Sequence, residues 1–222
     1  LLAFMVLLYP TVADIYKDVK YPEALMAFVG NISDFTTVEG YLTVEFFSYG
    51  MLVLSVFAIM SGTAALAGEE SDGTLDLLLA QPVSRSRLVL VKVIALVIAS
   101  SVIVLITIPF VWVPSVLMNI AIPWDRFFLA LAMLWLFCVM VAIVTMAASL
   151  IMGGGKGVGV AVAIVLVASY ILDSLANLVS DLERVRPLLL TVYYQGDAAM
   201  AGKVIWWYTG GLAAILAAAL VL

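Results

Sequence analysis

The chain alternates between long apolar runs and shorter polar breaks. Apolar residues dominate positions 1–9, 46–67, 88–113, 127–152, 158–175 and 204–222. A helix crosses a bilayer with about 20 mostly apolar residues, and no run shows the strict alternation of a half-buried strand. The pattern predicts an all-α integral membrane protein, one transmembrane domain over residues 1–222 with six spanning helices. Residues 1–9 are too short to cross at about 1.5 Å per residue and are read as the end of a longer span. The first and last runs both stop inside apolar sequence, so the segment is expected to continue beyond each end.

The polar breaks differ in character. Residues 10–45 carry Pro10, Pro22 and an excess of carboxylates. Residues 68–87 hold a second charged stretch, 114–126 a short turn with Pro123, 153–157 the run GGGKG, and 176–203 a long mixed segment. The density of Lys and Arg around 68–87 and 153–157 places those breaks and both termini on the cytoplasmic side, in a multi-pass protein of the cell (inner) membrane. Trp124, Trp206, Trp207 and Tyr208 sit at run boundaries, where amphipathic rings favour the headgroup zone.

Composition sharpens the choice of solvent. Hydrophobic residues make up 66% of the chain and charged residues 11%, with a mean hydropathy of +1.23. Soluble domains carry roughly 45–50% apolar and about 25% charged residues, so the lipid bilayer is the expected surroundings. The net charge of −5 opposes nucleic acid as a partner, because that binding rests on clustered Lys and Arg. With no histidine, His-based acid–base catalysis and His metal ligation are excluded. Cys138 is the single cysteine. No catalytic, cofactor-binding or metal-ligating constellation stands out, and the chain is not expected to be an enzyme by itself.

The stretch GEESDGTLDLLLAQPVSRSRLVLVK invites a local reading. Asp72 and Gly73 signal a turn. Thr74 can cap a short helix with Leu75, Leu78 and Leu79 on one face. Pro82 stops that helix, and Ser84 caps a new one that begins at Arg85 and runs into the membrane. The short helix either rests its leucines among lipids or docks a cytosolic partner.

Glu70, Gly73, Thr74, Leu75, Leu78, Leu79, Pro82, Val83, Ser84, Arg85 and Lys92 resemble the loop between the second and third spans of ABC-2 type transporter permeases, in the NosY-like and bacitracin-exporter-like branch. The resemblance implies a type V exporter-like fold: six spans, a cytoplasmic coupling helix and short outer-surface helices. It implies that residues 68–87 seat in a groove of a separate ABC ATPase subunit, with Glu70, Asp72, Gly73, Thr74, Leu75, Leu78, Leu79, Pro82 and Arg85 at the contact. ATP and magnesium would belong to that partner, present in two copies. A second permease copy would complete a homodimer, a heterodimer with a paralogue remaining open. The run GGGKG lacks the first Gly and the Ser/Thr of a phosphate-binding loop, so the nucleotide is not expected here.

No charge falls near the middle of any apolar run, which points to an apolar or amphipathic substrate or a lipid-lined route; export is what the family resemblance implies. Small residues at i, i+4 spacing (Gly153/Gly157, Gly155/Gly159; Gly210, Ala214, Ala218) allow close helix approach, within one subunit or between copies. Pro109 and Pro114 are expected to kink or end the third span. Two short helices are expected within 178–203, either capping an outer gate around Tyr193 and Tyr194 or lying in the headgroups. The competing readings are an ATP-independent channel or secondary carrier, and a membrane assembly factor. Substrate identity is not written in the sequence.

Overall fold

A computed structural model describes residues 2–16, 36–71, 85–152, 156–176 and 179–221. Among these residues every regular element is helical. Hydrocarbon offers no partner for backbone N–H and C=O groups, so apolar runs satisfy them internally as helix.

The first apolar helix, α1, spans Leu2–Tyr16 and carries Pro10 inside it. The next begins at Val38, earlier than the expected 46. Thr37 caps it, its side-chain oxygen accepting from the Gly40 N–H at 3.2 Å. This helix has three parts: α2 (Val38–Leu42), a π-turn (Thr43–Ser48) and α3 (Tyr49–Ser71). The remaining helices are α4 (Arg85–Leu117), α5 (Trp124–Ile151), α6 (Lys156–Ala176), the short α7 (Gly196–Met200) and α8 (Trp206–Val221). Between α6 and α7 lie two 3₁₀ segments, Ser180–Leu188 and Leu190–Tyr193, so this connection holds three short elements where two were expected.

Among the described residues four helices are long and apolar enough to cross a membrane: Val38–Ala65, Arg87–Leu117, Trp124–Ile151 and Gly157–Ala176. Ala3–Ile15 is shorter. The helix at 124–151 is the centre of the bundle, with 67% of its apolar window buried against 22% for each of 87–117 and 157–176. It packs along α3 and also touches α4, α6, α7 and α8, while α1 lies against α4. Tyr41 Oη donates to the Met5 carbonyl at 2.8 Å, and Tyr9 Oη to that of Thr36 at 2.9 Å, tying α1 to the start of α2.

Small residues set the closest approach. A Cβ on Gly62 would collide with the Ala142 carbonyl oxygen and come within 2.9 Å of Thr145 Cβ, so α3 and α5 meet there nearly backbone to backbone. Hydroxyls in the apolar helices bond back to their own backbone: Ser55 to Met51, Thr63 to Ile59, Thr145 to Val141. The α4 helix does not end at Pro109 or Pro114 but runs through both to Leu117. Asn119, at φ 51°, then closes it. The Ile120 N–H reaches the Ser115 carbonyl at 2.9 Å and the Asn119 N–H that of Val116 at 3.3 Å, the Schellman pattern that satisfies the last free carbonyls.

Candidate functional site

The chain's polar chemistry gathers around the π-turn. Six residues wound as Thr43–Ser48 insert one residue into the helix, and the Tyr49 N–H accordingly reaches back to the Val44 carbonyl. Such turns are uncommon and persist where surrounding contacts hold them. Here one anchor is aromatic. Phe46, Phe47 and Phe127 pack with centroids 4.9–5.7 Å apart, and Trp124 sits edge-on to Phe127 at 5.5 Å. Phe47 and Phe127 are fully buried.

The other anchor is the strap formed by residues 194–197. Tyr194 is buried, its ring 5.5 Å from that of Phe137, and its hydroxyl donates to the Phe47 carbonyl at 3.0 Å. On the next residue of the π-turn, Ser48 Oγ lies 3.0 Å from the Thr43 carbonyl oxygen and 3.3 and 3.4 Å from the two carboxyl oxygens of Asp197. Gly196 permits this wrap, because a Cβ there would occupy the space of the Tyr194 ring. Gln195, buried, closes the strap behind: its Nε2 donates to the Val192 carbonyl at 2.9 Å and its Oε1 accepts from the Ile205 N–H at 3.2 Å.

Electrostatics follow from this enclosure. Burial pushes the Asp197 carboxyl up, the Ser48 hydroxyl pulls it down, and the Asp173 charge raises it again, leaving it at about 7. Burial, then the Asp197 charge, drives the Tyr194 phenol well above its ordinary value. Asp173 is itself bridged by Arg186 Nε at 2.8 Å, tying the end of α6 to the first 3₁₀ segment.

The sequence-expected residues fall in two places. Tyr193 and Tyr194 lie on the segment between α6 and α8, but in different settings. Tyr194 is locked inside, whereas Tyr193 donates to the Pro187 carbonyl at 2.7 Å at an exposed position and meets Tyr208 edge-on. Of the expected ATPase contact, Asp72, Gly73, Thr74, Leu75, Leu78, Leu79 and Pro82 lie outside the described residues. Glu70 is on the last turn of α3 and Arg85 opens α4.

Sequence reasoning missed Ser48 and Asp197. They stand 149 positions apart, and only the fold brings them together. It also placed Glu45 in a polar connection, whereas Glu45 lies on the π-turn inside the apolar helix 38–65. Among the described residues no group of three or more Cys, Asp or Glu is placed to hold a metal ion.

The family model described as "ABC-2 family transporter protein" matches residues 1–196. No curated protein and no solved structure matches.

Proposed function

The chain belongs to the ABC-2 family of transporter proteins, and from that premise we propose that it is the transmembrane permease subunit of an ATP-driven exporter. The observation that carries this reading is the family match over residues 1–196, on a bundle with four helices fit to cross a membrane. The family is a membrane component that works with an ATP-hydrolysing partner. ATP and magnesium are accordingly assigned to a separate ABC ATPase, engaged through residues 68–87.

Two ATPase copies need two such loops, and one chain supplies one, so the working unit is a homodimer with six spans per copy. Its seam and its lipid contacts are drawn from the apolar faces that the bundle leaves uncovered. On α6 these include Val160, Ile164, Val167 and Ile171, and on α4 Ile98, Val102 and Leu105. The substrate class is apolar or amphipathic, in keeping with apolar runs that carry no Asp, Glu, Lys or Arg near their middles. The assembly sits in the inner (cytoplasmic) membrane with both termini on the cytoplasmic side.

Gentle extraction of the tagged full chain from its own host tests the reading. A P-loop ATPase should co-purify in stoichiometric amount, and Leu78→Asp with Leu79→Asp should lose it while the permease stays folded. A chain that purifies alone, or one whose ATPase stays bound in the double variant, removes the coupling assignment.

A further inference from the structure

We propose that the strap Tyr194–Asp197 is a proton-operated clasp on the π-turn, closed when the Asp197 side chain is protonated and loosened when it is ionised. The geometry of one hydroxyl carries this. Ser48 Oγ has a single hydrogen and two acceptors in reach, the Thr43 carbonyl at 3.0 Å and the Asp197 carboxyl at 3.3 and 3.4 Å. The shorter contact takes the hydrogen. The carboxyl oxygens then face a lone pair on Ser48 Oγ, an arrangement that is satisfied only if Asp197 supplies a proton of its own. Protonated, the side chain donates to Ser48 and the chain Asp197–Ser48–Thr43 is complete. Ionised, it competes with the Thr43 carbonyl for the same hydrogen, and one buried acceptor goes short.

The surroundings do not neutralise the ionised form. On the strap the neighbour is Tyr194, a phenol held neutral. From α6 come Tyr170 and Asp173, the latter bridged to Arg186. From the start of α3 comes Tyr49, and Glu45 stands on the π-turn beside Tyr41. Arg126, near the start of α5, lies against Gly202, beyond the last turn of α7. Among the described residues no cation bridges Asp197.

The sign follows from linkage. The clasped carboxyl keeps its proton to about pH 7, whereas a solvated aspartate lets go near pH 4. The stabilisation is therefore fully present below about pH 4, declines as the pH rises, and is lost above about 7. What the clasp restrains is the π-turn. Its Phe47 carbonyl is held by Tyr194 and its Ser48 hydroxyl by Asp197, two adjacent residues gripped by one four-residue strap. Loosening the strap frees the extra residue of the π-turn to slip toward α-helical register, which turns α2 about its axis relative to α3.

Hydrogen–deuterium exchange on the full chain in lipid nanodiscs, corrected for the intrinsic pH dependence of exchange, reads the clasp directly. Between pH 6 and pH 8 exchange in residues 189–204 should rise about tenfold, from a clasped carboxyl at about 7 and a solvated one near 4. Asp197→Asn, neutral at every pH and still a donor to Ser48, should abolish that rise. A pH-independent wild type, or an equal rise in Asp197→Asn, overturns the proposal. The wild-type infrared spectrum supplies a readout that does not depend on the variant folding. A protonated-carboxyl C=O stretch must be present at pH 6 and disappear by pH 8, and a chain whose carboxyls are all ionised at pH 6 excludes the clasp.

Discussion

Tyr194→Phe isolates the contact that most directly supports the π-turn. The substitution removes one oxygen and leaves the ring against Phe137. What disappears is a hydrogen bond of 3.0 Å between two buried groups, Tyr194 Oη and the Phe47 carbonyl. An ordinary hydrogen bond contributes about 1 kcal/mol net, and a buried acceptor left unpaired costs about 1–3 kcal/mol. Both residues are buried and the carbonyl belongs to an irregular turn, so the upper part of that range applies, about 2 kcal/mol. For a chain of this size each kcal/mol moves the midpoint by roughly 2–4 °C, which gives roughly 4–8 °C. The assay is thermal unfolding in nanodiscs followed by tryptophan fluorescence. Tyr193→Phe is the internal control, because its bond to the Pro187 carbonyl, though shorter at 2.7 Å, is exposed; it should change stability by less than about 0.5 kcal/mol. Equal shifts in the two variants, or no shift in Tyr194→Phe, would mean that the hydroxyl does not hold the turn.

Two further substitutions probe other parts of the frame. Gly62→Leu forces a side chain into the contact with Ala142 and Thr145; it should destabilise by at least the roughly 1–3 kcal/mol of an overpacked core, visible as a lower melting temperature, and an unshifted midpoint would show that α3 and α5 do not approach so closely. Arg186→Ala breaks the bridge to Asp173, but both partners remain partly solvated. The same melting assay should register less than about 1 kcal/mol, and a larger loss would make that bridge a main support of the segment between α6 and α7.

What the sequence revealed, and what it hid, divides along physical lines. Long apolar runs report themselves, because lipid admits little but helix; the runs near 88–113, 127–152 and 158–175 each correspond to a helix with close limits. Boundaries set by one capping bond are less visible. Thr37 starts a helix nine residues before the apolar run begins at Phe46, because Tyr41 and Leu42 find burial against neighbours rather than in lipid. Of the two outcomes expected at Pro109 and Pro114, a kink or an end, the end does not occur, because α4 runs on to Leu117. The π-turn left no trace: TVEFFS reads as an ordinary amphipathic stretch, and the residues that hold it come from 147 and 149 positions away. The pairing of Ser48 with Asp197 is a property of the packed bundle, which no local pattern encodes.

The two ends of α3 give the bundle its mechanical logic. One end runs to Ser71, beside the loop assigned above to the ATPase; the other begins at Tyr49, directly after the π-turn. Twenty-three helical residues make a rod of about 35 Å, and its packing along α5, close at Gly62, leaves it little freedom to bend. A displacement at the loop end would therefore arrive at the other end nearly undiminished. The place least able to resist it there is the turn with the extra residue, because its register is held by side-chain contacts rather than by a regular ladder. A strap that grips that turn through Phe47 and Ser48 is then placed where motion along the rod must either be blocked or let through. On this view the permease needs no charged pathway through its core to sense its surroundings. The single carboxyl of Asp197, at the end of the rod, is enough to set how readily the turn gives way.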